Sequence, residues 1–202
     1  MTGDRRRRNP AARFAVTAAV TAVMVLALAW GARVAIEKAE KAVYPLRFTE
    51  QVERYSALYG VPREVLYAVI KTESSFSAEA KSSAGAVGLM QIKPETFWWL
   101  MSKTGEQLGD EMLTDPETNI RYGAFFLSML YGEFGVWQTA YAAYNAGPTR
   151  VREWLSDGTV SLDGEKLCGI PIDETASYVN KVSSAAEKYI KLYGEGVSAD
   201  AD

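Results

Sequence analysis

Val65-Leu66-Tyr67-Ala68-Val69-Ile70-Lys71-Thr72-Glu73-Ser74 reads as a short helix that carries a carboxylate on its apolar side. Leu66, Val69, Ile70 and Glu73 follow the i, i+3, i+4, i+7 spacing that puts all four on one helical face. The first three are core-type residues, so the spacing predicts that Glu73 points into protein or into a cleft. Burial strips water from a carboxylate and raises its pKa, and the partial negative charge at a helix C-terminus acts the same way. A carboxylic acid that keeps its proton near neutral pH suits the breaking of a glycosidic bond. Spacing alone leaves a second reading open, in which Glu73 lies past the last turn and is an ordinary solvated charge.

The residues downstream narrow the choice. Glu73-Ser74 is followed by Ser82, nine residues after the Glu, and then by Gly85-Ala86-Val87-Gly88-Leu89-Met90-Gln91. Ala143-Tyr144-Asn145-Ala146-Gly147 and Glu174-Thr175-Ala176-Ser177-Tyr178-Val179 come far later in the chain. These five blocks, in this order across roughly residues 48 to 193, resemble the soluble lytic transglycosylase family of peptidoglycan-cleaving enzymes.

The resemblance implies a mainly α, lysozyme-like (goose-type) helical domain acting on peptidoglycan glycan strands. It implies that Glu73 is the one catalytic acid, later the base, and that Ser82 orients its carboxyl. Met90 and Gln91 resemble the family's cleft-wall residues, or are a buried Met and a helix-capping Gln; Asn145 resembles its substrate-contacting Asn, and Tyr178 the tyrosine beside the acid. Gly88 either lets backbone approach a sugar ring or serves a turn that needs positive φ. Tyr144 is read as a site residue or as core. Trp98, Trp99, Trp137 and Trp154 are candidates for stacking on sugars, though aromatics at helical spacing are more often core. With one catalytic carboxylate in the pattern, the implied reaction closes a 1,6-anhydro ring on N-acetylmuramic acid without water. A lysozyme-like hydrolase and a non-catalytic wall-binding protein remain the alternatives.

Composition excludes other classes. Residues 42–202 carry fourteen Lys/Arg against twenty-two Asp/Glu, and an acidic domain with no basic cluster is no nucleic-acid binder. With no His, neither a Ser-His nor a Cys-His nucleophile relay is available. The lone Cys168 makes no internal disulfide, and with no His to help it a zinc site is not expected; no cofactor is expected either.

At the N-terminus, Arg5 to Arg8 and Arg13 precede a charge-free run of nineteen residues, 14–32. At ~1.5 Å per residue such a run spans about 28 Å, close to the hydrocarbon core of a bilayer. The preceding arginines orient it with its N-terminus in the cytoplasm and the following domain outside. Ala27-Leu28-Ala29 offers a signal-peptidase-like site, but the run exceeds the usual signal core of about 7–15 residues, which favours an uncleaved anchor. The expected organisation is a basic cytoplasmic end (1–13), a single membrane span (14–32), a charged connector (33–46), a catalytic domain (47–193) and a frayed tail (194–202).

Within that domain, helices are expected over about 49–59, from Pro62 to Glu73, from Pro94, from a capping box at Thr114-Asp115-Pro116-Glu117, over 136–145 and 149–155, and from Asp173 as cap to Tyr193. Residues 157–169, which contain Gly158 and Gly164, are expected to form a hairpin or an irregular flap.

Overall fold

A computed structural model describes residues 10–194, and these divide into two units that meet in the chain between Pro45 and Leu46. The expected tail beyond Gly194, and most of the basic N-terminal segment, lie outside the described residues.

The first unit is one helix, α1 (Pro10–Val43), which runs without a break through most of the segment expected to be a separate connector. The connector stays helical because its charges pair along one face. Lys41 Nζ lies 2.6 Å from Glu37 Oε1, an i, i+4 ion pair that supports a helix. Helix formation ceases just before Pro45, whose ring disfavours α geometry at the residue ahead of it. Between Arg13 and Val43 the helix is long and apolar enough to cross a membrane. Its Thr17 and Thr21 hydroxyls donate to the carbonyls of Arg13 and Thr17, each at 3.0 Å, so neither needs water.

The second unit contains α2 (Thr49–Tyr59), α3 (Arg63–Ser74), α4 (Pro94–Thr104), a 3₁₀ turn (Asp110–Thr114), α5 (Pro116–Phe134), α6 (Trp137–Ala146), α7 (Pro148–Ser156) and α8 (Asp173–Tyr193). Helix contacts close a ring: α3 packs on α8, α8 on α6, α6 on α5, α5 on α2, and α2 returns to α3. The apolar face read from the sequence of α3 is what this ring encloses, with Leu66, Val69 and Ile70 each 0 % exposed. Fully burying side chains of this kind is worth roughly 1.5–3 kcal/mol apiece. The other end of the α3 face, where Glu73 sits, is thereby fixed relative to α6 and α8.

Two helix starts differ from expectation. The cap of α5 is Asp115, not Thr114: its carboxylate accepts the Thr118 N–H at 2.8 Å, and Pro116 takes the first helical position. Glu117 is thereby released from any capping role, and it accepts instead from Arg54 at 2.7 Å and from the Tyr55 hydroxyl at 2.5 Å. Asp173 is the first helical residue of α8 rather than its cap, where its charge still complements the helix N-terminus.

Among the described residues the only β pairing is two isolated antiparallel bridges, Lys81 with Val87 and Val87 with Ile92. Residues 157–169 form the irregular alternative rather than a hairpin. Asp157 and Asp163 organise the segment by accepting from nearby backbone N–H groups, Thr159 in one case and Glu165 and Lys166 in the other.

Candidate active site

Glu73 stands in the last turn of α3, and the chain leaves it by an unusual route. Ser75 and Phe76 both adopt left-handed backbone, at φ 50° and 67°. Two successive non-glycine residues in that region cost energy and persist only where packing holds them. The holding contacts are present. Phe76 is buried with its ring 6.4 Å from that of Tyr67, and the Ser74 hydroxyl donates to Leu89 O at 2.8 Å. The turn therefore folds residues 77–93 back across the end of α3.

That loop is knitted by its own polar groups. Ser82 N–H donates to Ala86 O at 2.9 Å, while Ser82 Oγ accepts the Ala86 N–H at 3.0 Å. The expected partner of this hydroxyl was Glu73. Here its lone pair is committed to the loop, which leaves its proton as the part able to face a carboxyl. Gln91, at φ 49°, donates its side-chain amide to Ala80 O at 3.1 Å and Gly88 O at 2.9 Å, so its Oε1 is the atom left for a ligand.

The fully buried Asn119 of α5 fastens the loop from behind. Its Oδ1 accepts the Met90 N–H at 2.7 Å, and its Nδ2 donates to Leu113 O at 2.7 Å and Val87 O at 3.1 Å. No motif marked this residue. The signal available was its spacing, since Asn119, Gly123 and Leu127 repeat at i, i+4, i+8 on an otherwise apolar face.

The result is a cleft of about 550 Å³ lined by Glu73, Ser82, Gln91, Tyr144 and Asn145 among others. Five of the eight residues named from the sequence thus border one cavity. Gly88 and Met90 do not. Gly88, at φ 85°, has no room for a side chain because a Cβ there would come within 2.2 Å of Asn119 Nδ2 and Leu113 O. Of its two readings, the turn that needs positive φ is present, and the protein behind it independently requires glycine. The Met90 side chain is fully buried against Gly123, where an added Cβ would lie 2.3 Å from Sδ. The cleft wall is reached instead through the Met90 carbonyl, which accepts the Tyr144 hydroxyl at 2.8 Å.

Tyr178 approaches Glu73 from α8, buried behind the cleft. Its hydroxyl has no hydrogen-bond partner, yet it is near enough to the Glu73 carboxyl to oppose part of the effect of burial. The contact falls short of hydrogen-bond geometry. Burial is the larger effect and pushes the Glu73 pKa up to about 7. The Tyr178 and Tyr144 phenols are driven far above their ordinary range, first by burial and then by the Glu73 charge, so neither loses its proton. Glu95 and Glu174 also border the cleft, but both are exposed.

Two further contributors were not singled out in the sequence. Thr175 is buried inside the Glu174–Val179 block, and its hydroxyl donates to Asn145 Oδ1 at 2.8 Å. Phe126 lines the cleft and packs 5.2 Å from the Tyr144 ring. Among the described residues no cluster of His, Cys, Asp or Glu is arranged to hold a metal ion.

Residues 50–161 match the family described as the Transglycosylase SLT domain. The chain is 35% identical over 157 residues to the soluble lytic murein transglycosylase of Escherichia coli, covering 75% of this chain and 24% of that protein. It is 32% identical over 167 residues to the membrane-bound lytic murein transglycosylase C of Yersinia pestis, covering 71% of this chain and 46% of that one. The solved structure of an inactive Glu-to-Gln mutant of lytic transglycosylase Slt from Pseudomonas aeruginosa superposes with a TM-score of 0.64 at 36% identity, over 74% of this chain and 25% of that one. The chain thus spans about a quarter of the length of its soluble relatives. The match takes in Glu73, the loop that folds over it and the Tyr144-Asn145 turn, and more than half of the sequence with them: the chain belongs to the transglycosylase SLT domain family.

Proposed function

We propose that this chain is a lytic transglycosylase of peptidoglycan, cleaving the bond between N-acetylmuramic acid and N-acetylglucosamine. The observation that carries the reading is a single shielded carboxyl, Glu73, poised at about 7 in a polar cleft. A group of that acidity gives up its proton and recovers it at similar cost, as one residue serving as acid and then base must. The relatives' names support the substrate class, and the inactive Glu-to-Gln mutant among them supports a chemistry that depends on a glutamate.

In the first step the Glu73 proton moves to the glycosidic oxygen as the bond to C1 breaks and the N-acetylglucosamine side departs as an alcohol. The N-acetyl carbonyl of the muramoyl ring stabilises the positive charge left at C1. Ionised Glu73 then takes the proton of the C6 hydroxyl as that oxygen bonds to C1. The acid is restored and a 1,6-anhydro ring is formed with no water consumed. A nucleophile within the same ring has a high effective molarity, so no second carboxylate is needed. Hydrolysis is the second reading, favoured by Glu174 and Glu95 at the cleft edge, either of which could activate a water.

The apolar run of α1 suits a single membrane anchor with the catalytic unit outside the cytoplasm, where the substrate is, and the arginines before it fit that orientation. Mass spectrometry of muropeptides released by the full chain in detergent tests the chemistry. Anhydro-ended products are expected; reducing ends carrying added water would replace the reading with hydrolysis, and retained binding without cleavage would replace it with a wall-binding role. Protease treatment of intact spheroplasts tests the anchor. The domain should be digested from outside while remaining in the membrane fraction.

A further inference from the structure

Trp98 and Trp99 are adjacent on α4, 55 % and 42 % exposed, and they face different surroundings because successive helical residues point about 100° apart. The Trp98 indole N–H donates to Asp110 Oδ1 at 2.6 Å, which ties that ring to the 3₁₀ turn. Trp99 instead packs edge-to-face on Phe126, with ring centres 6.0 Å apart and planes at 75°. Phe126 lines the cleft and lies 5.2 Å from Tyr144, whose ring lines it too. Tyr144, Phe126 and Trp99 therefore form a continuous aromatic series from beside the catalytic acid to the surface. Its last member is the most exposed of the three, Phe126 being 8 % so. Lys103 Nζ stands 5.5 Å from the centre of the Trp99 ring, so a cation shares the patch.

We propose that Trp99 is an outer binding platform for the glycan strand, stacking against a sugar ring beyond those held at the bond that is cut. The proposal rests on the glycan-cleaving function above and extends its cleft. Sugar rings present C–H faces that pack on aromatic surfaces, and the adjacent ammonium suits a polymer that bears carboxylates on its muramoyl units. A platform remote from the scissile bond binds ground state and transition state alike. It therefore lowers KM without raising kcat.

The test uses the full chain and purified glycan strands, with a tetrasaccharide too short to reach Trp99 as the comparison. Trp99→Ala should raise KM on long strands by about three- to tenfold at near-unchanged kcat, a size appropriate to one aromatic contact. The penalty on the tetrasaccharide should be at least threefold smaller. Trp99→Phe should fall between, and Trp98→Ala, more exposed but outside the series, should match the parent on both. Equal losses on both lengths, or none on either, would overturn the platform. Equilibrium binding of long strands to Glu73→Gln protein, with and without Trp99→Ala, gives a readout that needs no cleavage. A threefold or greater rise in Kd is expected, and an unchanged Kd overturns the proposal whether or not the parent protein proves to be an enzyme.

Discussion

Thr175 donates its hydroxyl to Asn145 Oδ1 at 2.8 Å, tying the first turn of α8 to the last turn of α6 at the edge of the cleft. With Oδ1 engaged, the amide group that Asn145 has left to offer a ligand is its NH₂, a donor suited to a sugar hydroxyl or N-acetyl oxygen. Thr175→Val keeps the shape and removes this constraint. KM should rise by about two- to tenfold, the range of one neutral hydrogen bond, with kcat less affected. The loss of stability should be about 1 kcal/mol, because the exposed Asn145 regains water. Steady-state kinetics beside denaturant titration measure both, and unchanged KM would remove Thr175 from the site.

Glu73→Gln should abolish cleavage, since the amide neither donates nor recovers the proton; loss of general acid catalysis is about 10²–10⁴-fold, and here one group serves twice. The same substitution has a pH signature in stability. The folded pKa of about 7 is raised above the ordinary 4.5 of an unfolded Glu. Below 4.5 both states hold the proton and Glu73 has no effect on stability. As pH climbs from 4.5 to about 7 the unfolded state sheds it first, stability falls, and above 7 the penalty stays constant. Glu73→Gln lacks this ionisation. Its melting temperature should match wild type near pH 4.5 and exceed it increasingly up to pH 7. A constant gap across that range would mean that the carboxyl is solvated.

Gly88→Ala should be among the most damaging single-carbon additions in the chain. The new Cβ would lie 2.2 Å from Asn119 Nδ2 and Leu113 O, on backbone at φ 85° that alanine disfavours. Relief requires both Asn119 and the Leu113 backbone to withdraw, and that leaves Met90 N–H and Leu113 O without their Asn119 partner in a buried site, while Val87 O keeps the Ile92 N–H. The cost should be about 3 kcal/mol or more. Asn119→Ala should approach the same value by removing the partner directly. Denaturant midpoints at constant m-value test both, and a shift below about 1 kcal/mol would mean the loop is not anchored there.

The helical skeleton was legible because it rests on local rules. Gly60 closes α2 at Tyr59, Pro94 opens α4, and the apolar spacing of α3 correctly placed Leu66, Val69 and Ile70 in the core. The side of Glu73 followed from that same spacing. What the residues could not reveal depends on distant partners. Asp115 outcompeted Thr114 as a cap because Pro116 prefers the first helical position and Glu117 had a partner in Arg54 on another helix. The sequence leaves Met90 open between cleft wall and core, and Gly88 between sugar approach and a positive-φ turn; α5 packs against both through Gly123 and Asn119. Spacing along a chain says which face a residue shares, whereas it says nothing about which element will pack against that face.

Tyr178→Phe offers the finest probe of the acid, because it deletes an oxygen that has no formed hydrogen bond to lose. The hydroxyl favours the ionised carboxyl and so lowers the Glu73 pKa against the upward pull of burial. Removing it should raise that pKa. Activity that needs protonated Glu73 falls as pH rises through its pKa, so the alkaline limb of kcat/KM, expected near 7, should move to higher pH in the variant. At the same time kcat should fall, since the second half of the reaction passes through ionised Glu73 and the phenol is the donor placed to stabilise it. KM should change little, as the ring stays and Tyr178 does not line the cleft. Below pH 7, where Glu73 holds its proton, stability should hold or improve, because a buried hydroxyl without a partner is removed. A merely structural tyrosine would leave the pH profile where it was; a limb that stays in place, with kcat within twofold of wild type, would show that Tyr178 holds the helix and not the proton.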